Sequence, residues 1–233
     1  MENRPKTVLL AGASGVVGHA LLTQLLADSS VAQVVAVLRR PLPGQPHNPK
    51  LVQRICPNLL AMPANLCADR PVDECYITLG STIKAAGSRA AFRQVDLDAV
   101  LAVAGVAQAA GCQRLAVVSA LESNAKSPVF YSRVKGEMEQ GLMAMNFARL
   151  VITRPSIIDG DRAALGQVQR RGEAMALRLM KSLGRLIPRA FAPITGQTIA
   201  AAMVQRLRAD GAGGESLEVL RSGQMQALAQ KAV

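Results

Sequence analysis

The chain has 233 residues, half of them hydrophobic, and carries 27 Lys and Arg against 16 Asp and Glu, for a formal net charge of +11. That length suits one domain with a substantial core, and no apolar run is long enough to span a bilayer. With four Phe, two Tyr and no Trp, and no recognisable binding motif, the chain is poorly equipped to stack on bases or read a groove, so the positive field is assigned to anionic small molecules or an anionic surface.

The N-terminus, Met1-Glu2-Asn3-Arg4-Pro5-Lys6, leads into Thr7-Val8-Leu9-Leu10-Ala11, a strand-length apolar run, where a signal peptide would carry its hydrophobic region. A cytoplasmic protein is expected. Next comes Gly12-Ala13-Ser14-Gly15-Val16-Val17-Gly18, followed by leucines at helical spacing from His19 to Leu26. Strand, glycine turn and helix in this order suit a dinucleotide. The glycines permit a sharp turn and close approach of a pyrophosphate, and the unpaired N–H groups of the helix start face the phosphates. The second strand, expected over 33–38, ends in Arg39-Arg40, and no Asp or Glu falls between Asp28 and Asp69. The acid that would bond the 2′-hydroxyl of NAD is therefore missing, while a guanidinium fork suits the 2′-phosphate of NADP.

The loop over 40–49 holds four prolines and is irregular. Neither His47 within it nor His19 on the first helix belongs to a metal-binding constellation. Cys56, Cys67, Cys75 and Cys112 lack the close spacing of zinc or redox pairs and read as free thiols. Further strands are expected over 51–55, 74–79, 114–119 and 147–153, alternating with helical patterns, so the chain reads as an α/β fold with a doubly wound, mostly parallel sheet. The alanine- and valine-rich stretch over 90–110 reads as one long helix, with Asp96 and Asp98 assigned to its surface or to capping. The strand before Ser119 ends where open α/β sheets place ligands. Tyr131 and Lys135, four apart on a helix expected over 131–144, share a face. An ammonium beside a phenol favours phenolate and so suits the pair to acid–base work.

After Pro155 the alternation loosens, with helices expected over 166–183 and 197–209 and a short strand over 216–220. Residues 1–155 read as the nucleotide-binding core, and 156–233 as a small C-terminal helical substrate or lid region integrated with it. Between Arg162 and Arg189 there are seven basic residues and one acid, Glu173. Arg171, Arg178 and Arg185 recur every seven residues beside an apolar stripe of Val168, Met175, Leu179 and Leu183. This region is read as a solvated basic face over core packing, with a peripheral anionic membrane, a protein partner or a cover over the substrate pocket as alternatives.

Taken in order, the glycine turn, Leu79-Gly80-Ser81-Thr82, Val95-Asp96-Leu97-Asp98, Ser119, Tyr131-Ser132-Arg133-Val134-Lys135-Gly136-Glu137 and Arg154-Pro155 resemble the short-chain dehydrogenase/reductase superfamily in its atypical branch. The resemblance covers roughly residues 6–205 and is greatest to the Tat-interacting oxidoreductase-like proteins and their bacterial relatives. It implies NADP(H), in preference to NAD(H), held by Gly12, Ser14, Gly15, Val16, Val17 and Gly18, with Arg39 and Arg40 on the 2′-phosphate. Asn65 and Leu66 would sit at adenine, and Leu79, Gly80, Ser81, Thr82, Arg154 and Pro155 would join the cofactor-lining set. Tyr131 would move the proton, with Lys135 as its partner and ribose ligand. Ser119 would orient an unknown carbonyl or alcohol substrate, with Ser123 in reserve because Ser119 is followed by Ala120. The implied activity is an NADP(H)-dependent oxidoreductase. An NADP(H)-binding regulator or scaffold is the alternative, and either admits a homodimer.

Overall fold

In a computed structural model, which describes residues 4–43, 48–63, 65–67, 70–159, 192–209 and 216–231, the short apolar runs form one parallel sheet. Its first six strands are β1 (Lys6–Ala11), β2 (Val31–Leu38), β3 (Leu51–Ile55), β4 (Glu74–Ile77), β5 (Arg114–Val118) and β6 (Arg149–Arg154). A separate small pair follows, β7 (Ile158–Asp159) with β8 (Ile194–Thr195), and then β9 (Leu217–Arg221) returns to the main sheet. The seven strands lie in the order β3-β2-β1-β4-β5-β6-β9. From β1 the chain winds outward to β3, crosses back to β4 and continues the other way. The loops at the carboxyl ends of β1 and β4 therefore diverge and open a crevice.

Alternation along each strand feeds two cores. Leu9, Ile77, Val117 and Ile152 point to one face, covered by α4 (Ala99–Ala109) and α5 (Phe130–Ala144). Val8, Leu10, Ala116 and Val151 point to the other, covered by α1 (Val16–Ala27) and by the C-terminal helices α6 (Gly196–Arg208) and α7 (Ser222–Lys231), while the short α2 (Ile83–Ala86) and α3 (Arg89–Arg93) follow β4. Leu21, Leu22 and Leu25 of α1 meet Ile199, Met203 and Leu207 of α6 in the same apolar cluster. The described C-terminal elements thus complete the sheet and one of its two covers. The helix expected over 166–183, the basic stretch over 162–189 and His47 lie outside the described residues.

The amino ends of the strands are tied by an ionic knot. Glu74, 1% exposed at the start of β4, accepts from Nε of Arg208 on both oxygens, at 2.9 and 3.0 Å, from the Tyr76 hydroxyl at 2.9 Å, and pairs with Lys6 Nζ at 2.9 Å. Arg208 also reaches Asp28 Oδ2 at 2.5 Å. Burial opposes ionisation of Asp28, but hydrogen bonds from Arg208 and Ser30 outweigh it and lower its pKa to about 2. All four cysteines are buried. Burial pushes the Cys75 thiol well up and that of Cys112 to about 12.

The stretch expected as one helix over 90–110 is broken. Between α3 and α4 the backbone makes a π-helical turn, Gln94–Asp98. A π-turn spends an extra residue on one revolution and shifts the helical register that follows it. Asp96 and Leu97 are consequently both buried, and Asp96 is 0% exposed. Assignment of Asp96 to the helix surface is corrected for this reason. Asp98, in the capping position of α4, makes no side-chain cap.

Candidate cofactor and active site

The glycine turn is built by close packing. Gly12 has φ +91°, and a Cβ on it would lie 2.6 Å from Thr78 Oγ1. A Cβ on Gly18 would lie 2.0 Å from the Gly12 carbonyl oxygen, so α1 can approach the end of β1 only without side chains at both positions. Thr78 fastens the turn by donating from Oγ1 to the carbonyls of Ala11 and Gly12, at 3.0 and 3.1 Å. Gly15 caps α1 with no side-chain hydrogen bond, and the first turn of the helix holds no acid. The leading N–H groups are left for an anion.

A cleft of about 1080 Å³ runs along the carboxyl edge of the sheet from this turn. Gly12, Ser14, Gly15, Val16 and Val17 form its floor, with Arg39 and Arg40, both exposed, at one end. Among the described residues neither arginine has an ion-pair partner. Leu79, Gly80, Ser81, Ser119, Tyr131 and Lys135 line the cleft farther along. An uncapped helix start and two guanidinium groups without ion-pair partners among the described residues border one cleft and suit an anionic ligand.

Tyr131 and Lys135 sit on the first turns of α5. The Tyr131 ring packs against buried Phe92 of α3, with centroids 5.4 Å apart. Phe130 beside it is flanked by the guanidinium groups of Arg89 and Arg133, at 5.2 and 5.7 Å from the ring centroid. Gly136 lets the loop after β5 cross α5, since a Cβ there would lie 2.1 Å from the Ala125 nitrogen. The ammonium of Lys135, 2% exposed, is held by Asp96 Oδ1 at 2.8 Å. Asp96 Oδ2 accepts from the Ser81 N–H at 2.9 Å. Lys135, one turn along α5 from Tyr131, therefore has a carboxylate partner of its own.

Ser119 faces a different set of partners. Its hydroxyl donates to Glu139 Oε1 at 2.5 Å and lies 2.9 Å from the Ser123 hydroxyl. Glu139, 2% exposed, is gripped by Arg154 from Nε at 3.0 Å and Nη2 at 2.5 Å. A buried carboxylate holds a hydroxyl proton more firmly than a neutral acceptor does. In this arrangement Ser119 offers lone pairs to the cleft while its proton is engaged. Ser123, Glu139 and Arg154 line a second, smaller cleft of about 380 Å³ on the other side of Ser119.

Several residues expected to line the cofactor stand elsewhere. Gly18 serves the contact between helix and strand, and Thr82 caps α2 by accepting from the Ala85 N–H at 3.1 Å. Arg154 is committed to Glu139 in the second cleft, and Pro155 lines neither. Asn65 and Leu66 also stand apart, with Leu66 packed on the core, while Asn58, Leu59 and Leu60 line the end of the cleft nearer β3. The chain turns immediately after β3 in a short 3-10 helix, Leu59–Ala61, so residues at 65 and 66 have already passed the cleft. Asp96 and Thr78 were also missed. Thr78 falls inside the strand expected over 74–79 and carries no separate signal, and the π-turn that inverts Asp96 leaves no mark in the periodicity.

The sheet order and a glycine turn at its reversal define a doubly wound Rossmann fold. No family model matches the chain. The protein fmp52 of Emericella nidulans, named mitochondrial, is 32% identical over 182 residues, 77% of this chain and 76% of its own length. HTATIP2 of Rattus norvegicus is 30% identical over 234 residues, 100% of this chain and 89% of its own. The chain belongs to the atypical short-chain dehydrogenase/reductase family that contains these proteins. Among solved structures, an oxidoreductase of the short-chain dehydrogenase/reductase family from Burkholderia thailandensis superposes with TM-score 0.69 at 19% identity, covering 98% of this chain and 97% of that one. MoeE5, solved with UDP-glucose and NAD, superposes with TM-score 0.66 at 17% identity, covering 97% and 82%. The mitochondrial names of the FMP52 relatives overturn the cytoplasmic expectation. That expectation rested on the first few residues, and the composition of a folded domain does not encode its compartment.

Proposed function

We propose that the chain is an NADP(H)-dependent oxidoreductase acting on a carbonyl or alcohol, with Tyr131 as general acid and base. One observation carries this reading: a single cleft is lined by the glycine turn, by Arg39 and Arg40, and by Tyr131 and Lys135. The N-terminal amides of α1 would hold the pyrophosphate, the arginines the 2′-phosphate, and Lys135 a ribose hydroxyl. A bound nicotinamide supplies the hydride chemistry. Tyr131 gives a proton to the substrate oxygen during reduction and takes it back during oxidation. Phe92 holds the phenol's ring in place for that transfer.

The test is NADPH consumption against a broad carbonyl panel, with NADH run in parallel. Turnover with NADPH is expected, and Tyr131→Phe should lower it by about 100-fold or more. A second reading, cofactor binding without turnover, is favoured by the engagement of the Ser119 proton with Glu139, which withholds a donor from a substrate carbonyl. Tight NADPH binding with no consumption across the panel would select that reading.

A further inference from the structure

We propose that the Tyr131 end of the cleft selects a carbonyl or alcohol that carries an oxyanion, a carboxylate or a phosphate ester, and that Arg89 and Arg133 receive that group. The inference rests on the oxidoreductase reading above and names the substrate class for the same site. It starts from Phe130, the residue before Tyr131. The guanidinium groups of Arg89 and Arg133 lie 5.2 and 5.7 Å from the centroid of this one ring, so two like charges are gathered beside it. Stacking on an aromatic face orients a guanidinium and leaves donors at its edge available. Arg133 is held further by Nη1, which donates to the carbonyls of Ser127 and Pro128 at 2.9 and 3.3 Å. Arg89 opens α3, where Ser88 caps the helix by accepting from the Ala91 N–H at 3.0 Å. Ala86 and Ala91, on either side of Arg89 in the chain, both line the cleft. Exposed Lys84 adds a third cation next to Ala85, another lining residue.

The charge at this rim is not balanced. Among the described residues Lys84, Arg89 and Arg133 have no ion-pair partner. The carboxylates of the neighbouring elements are taken, Glu137 by Arg93, Glu139 by Arg154 and Asp96 by Lys135. The adjoining cleft wall, Ala85, Ala86, Ala91, Gln94 and Val95, is uncharged. Cations held together repel one another, and a bound anion relieves the repulsion. In the cofactor reading the phosphates belong at the other end, with the glycine turn, Arg39 and Arg40. The anion that suits the Tyr131 end is therefore carried by the substrate, with its reacting carbon at the phenol and its oxyanion at the rim.

The test compares kcat/KM for adipic semialdehyde and for its methyl ester at saturating NADPH, on the full chain. A preference for the acid of about tenfold or more is expected, falling as salt is raised. In the double variant Arg89→Gln, Arg133→Gln the ratio should come within about twofold of one. Because the ratio is internal to each protein, a partly unfolded preparation does not alter it. A wild-type ratio near one would overturn the proposal, and so would an undiminished ratio in the variant. Absence of turnover with every probe would remove the oxidoreductase reading alone. Titration of NADPH-loaded protein with hexanoate, hexyl phosphate and hexanol then decides the rim. Tighter binding of the anions, lost in the variant, supports it, with the tighter of the two identifying carboxylate or phosphate ester. Equal binding of all three overturns it.

Discussion

Arg39 and Arg40 are the residues on which cofactor choice turns. They stand exposed at the end of β2, bordering the cleft and lacking an acidic partner among the described residues. Replacing both by Ala should remove about 3 kcal/mol of charge-assisted contact to a 2′-phosphate, roughly a 100-fold loss in NADPH affinity. NADH affinity should stay within about twofold, and titration calorimetry with the two nucleotides distinguishes the outcomes. A parallel loss for both would locate the effect in the fold of the β2 end instead. These arginines were legible because the absence of an acid after a strand is a positional signal. Glu139 was not, since a glutamate on a helix ordinarily reads as solvated. Its burial against Ser119 and Arg154 depends on contacts between residues 15 and 20 apart in the chain.

Among the elements, α6 links the two ends of the architecture. Its start crosses α1 closely, since a Cβ on Gly196 would lie 2.8 Å from Val16 Cγ1, and its end places Arg208 on Glu74 and Asp28. The pKa of Asp28 falls from 3.8 to about 2 on folding. A carboxylate with a depressed folded pKa adds stability that is fully present above its unfolded pKa and is lost as pH falls through its folded one. Asp28→Asn should therefore be less stable than the wild type at neutral pH by about 1 kcal/mol, allowing for solvent screening of the partly exposed pair. The difference should close as pH falls from about 4 towards 2. Urea unfolding at several pH values measures it, and a constant gap would contradict the assignment to Asp28. Strand and helix identities were legible in the sequence, as the continuous apolar run from Val8 to Ala11 and the leucine spacing of α1 show. The π-turn was not, because its cause lies in tertiary contacts of Asp96 that no local period records.

At the scale of the molecule, the sheet is closed on both faces, and its thiols are shut inside. Cys75 and Cys112 are fully buried with raised pKa values, so neither presents a thiolate at neutral pH. Ellman's reagent should label them at least 100-fold more slowly in native protein than in denaturant, and burst labelling of either in the native state would show that this part of the sheet opens. The overall winding was readable because a glycine turn after the first strand and alternating strand and helix patterns leave few topologies. The short strand expected over 216–220 is the seventh strand of the main sheet, and nothing in Leu217–Arg221 itself names its partner β6.

The exit from β6 and the return to the core are stitched side by side. β7 pairs with β8, the Ser156 hydroxyl donates to the Ala192 carbonyl at 2.6 Å, and the Ile194 N–H donates to the Ile157 carbonyl at 3.0 Å. The described chain therefore leaves at Asp159 and resumes at Ala192 with those two ends pinned as neighbours. Such a joint lets the length of chain between the two pinned ends change while the register of the main sheet stays untouched.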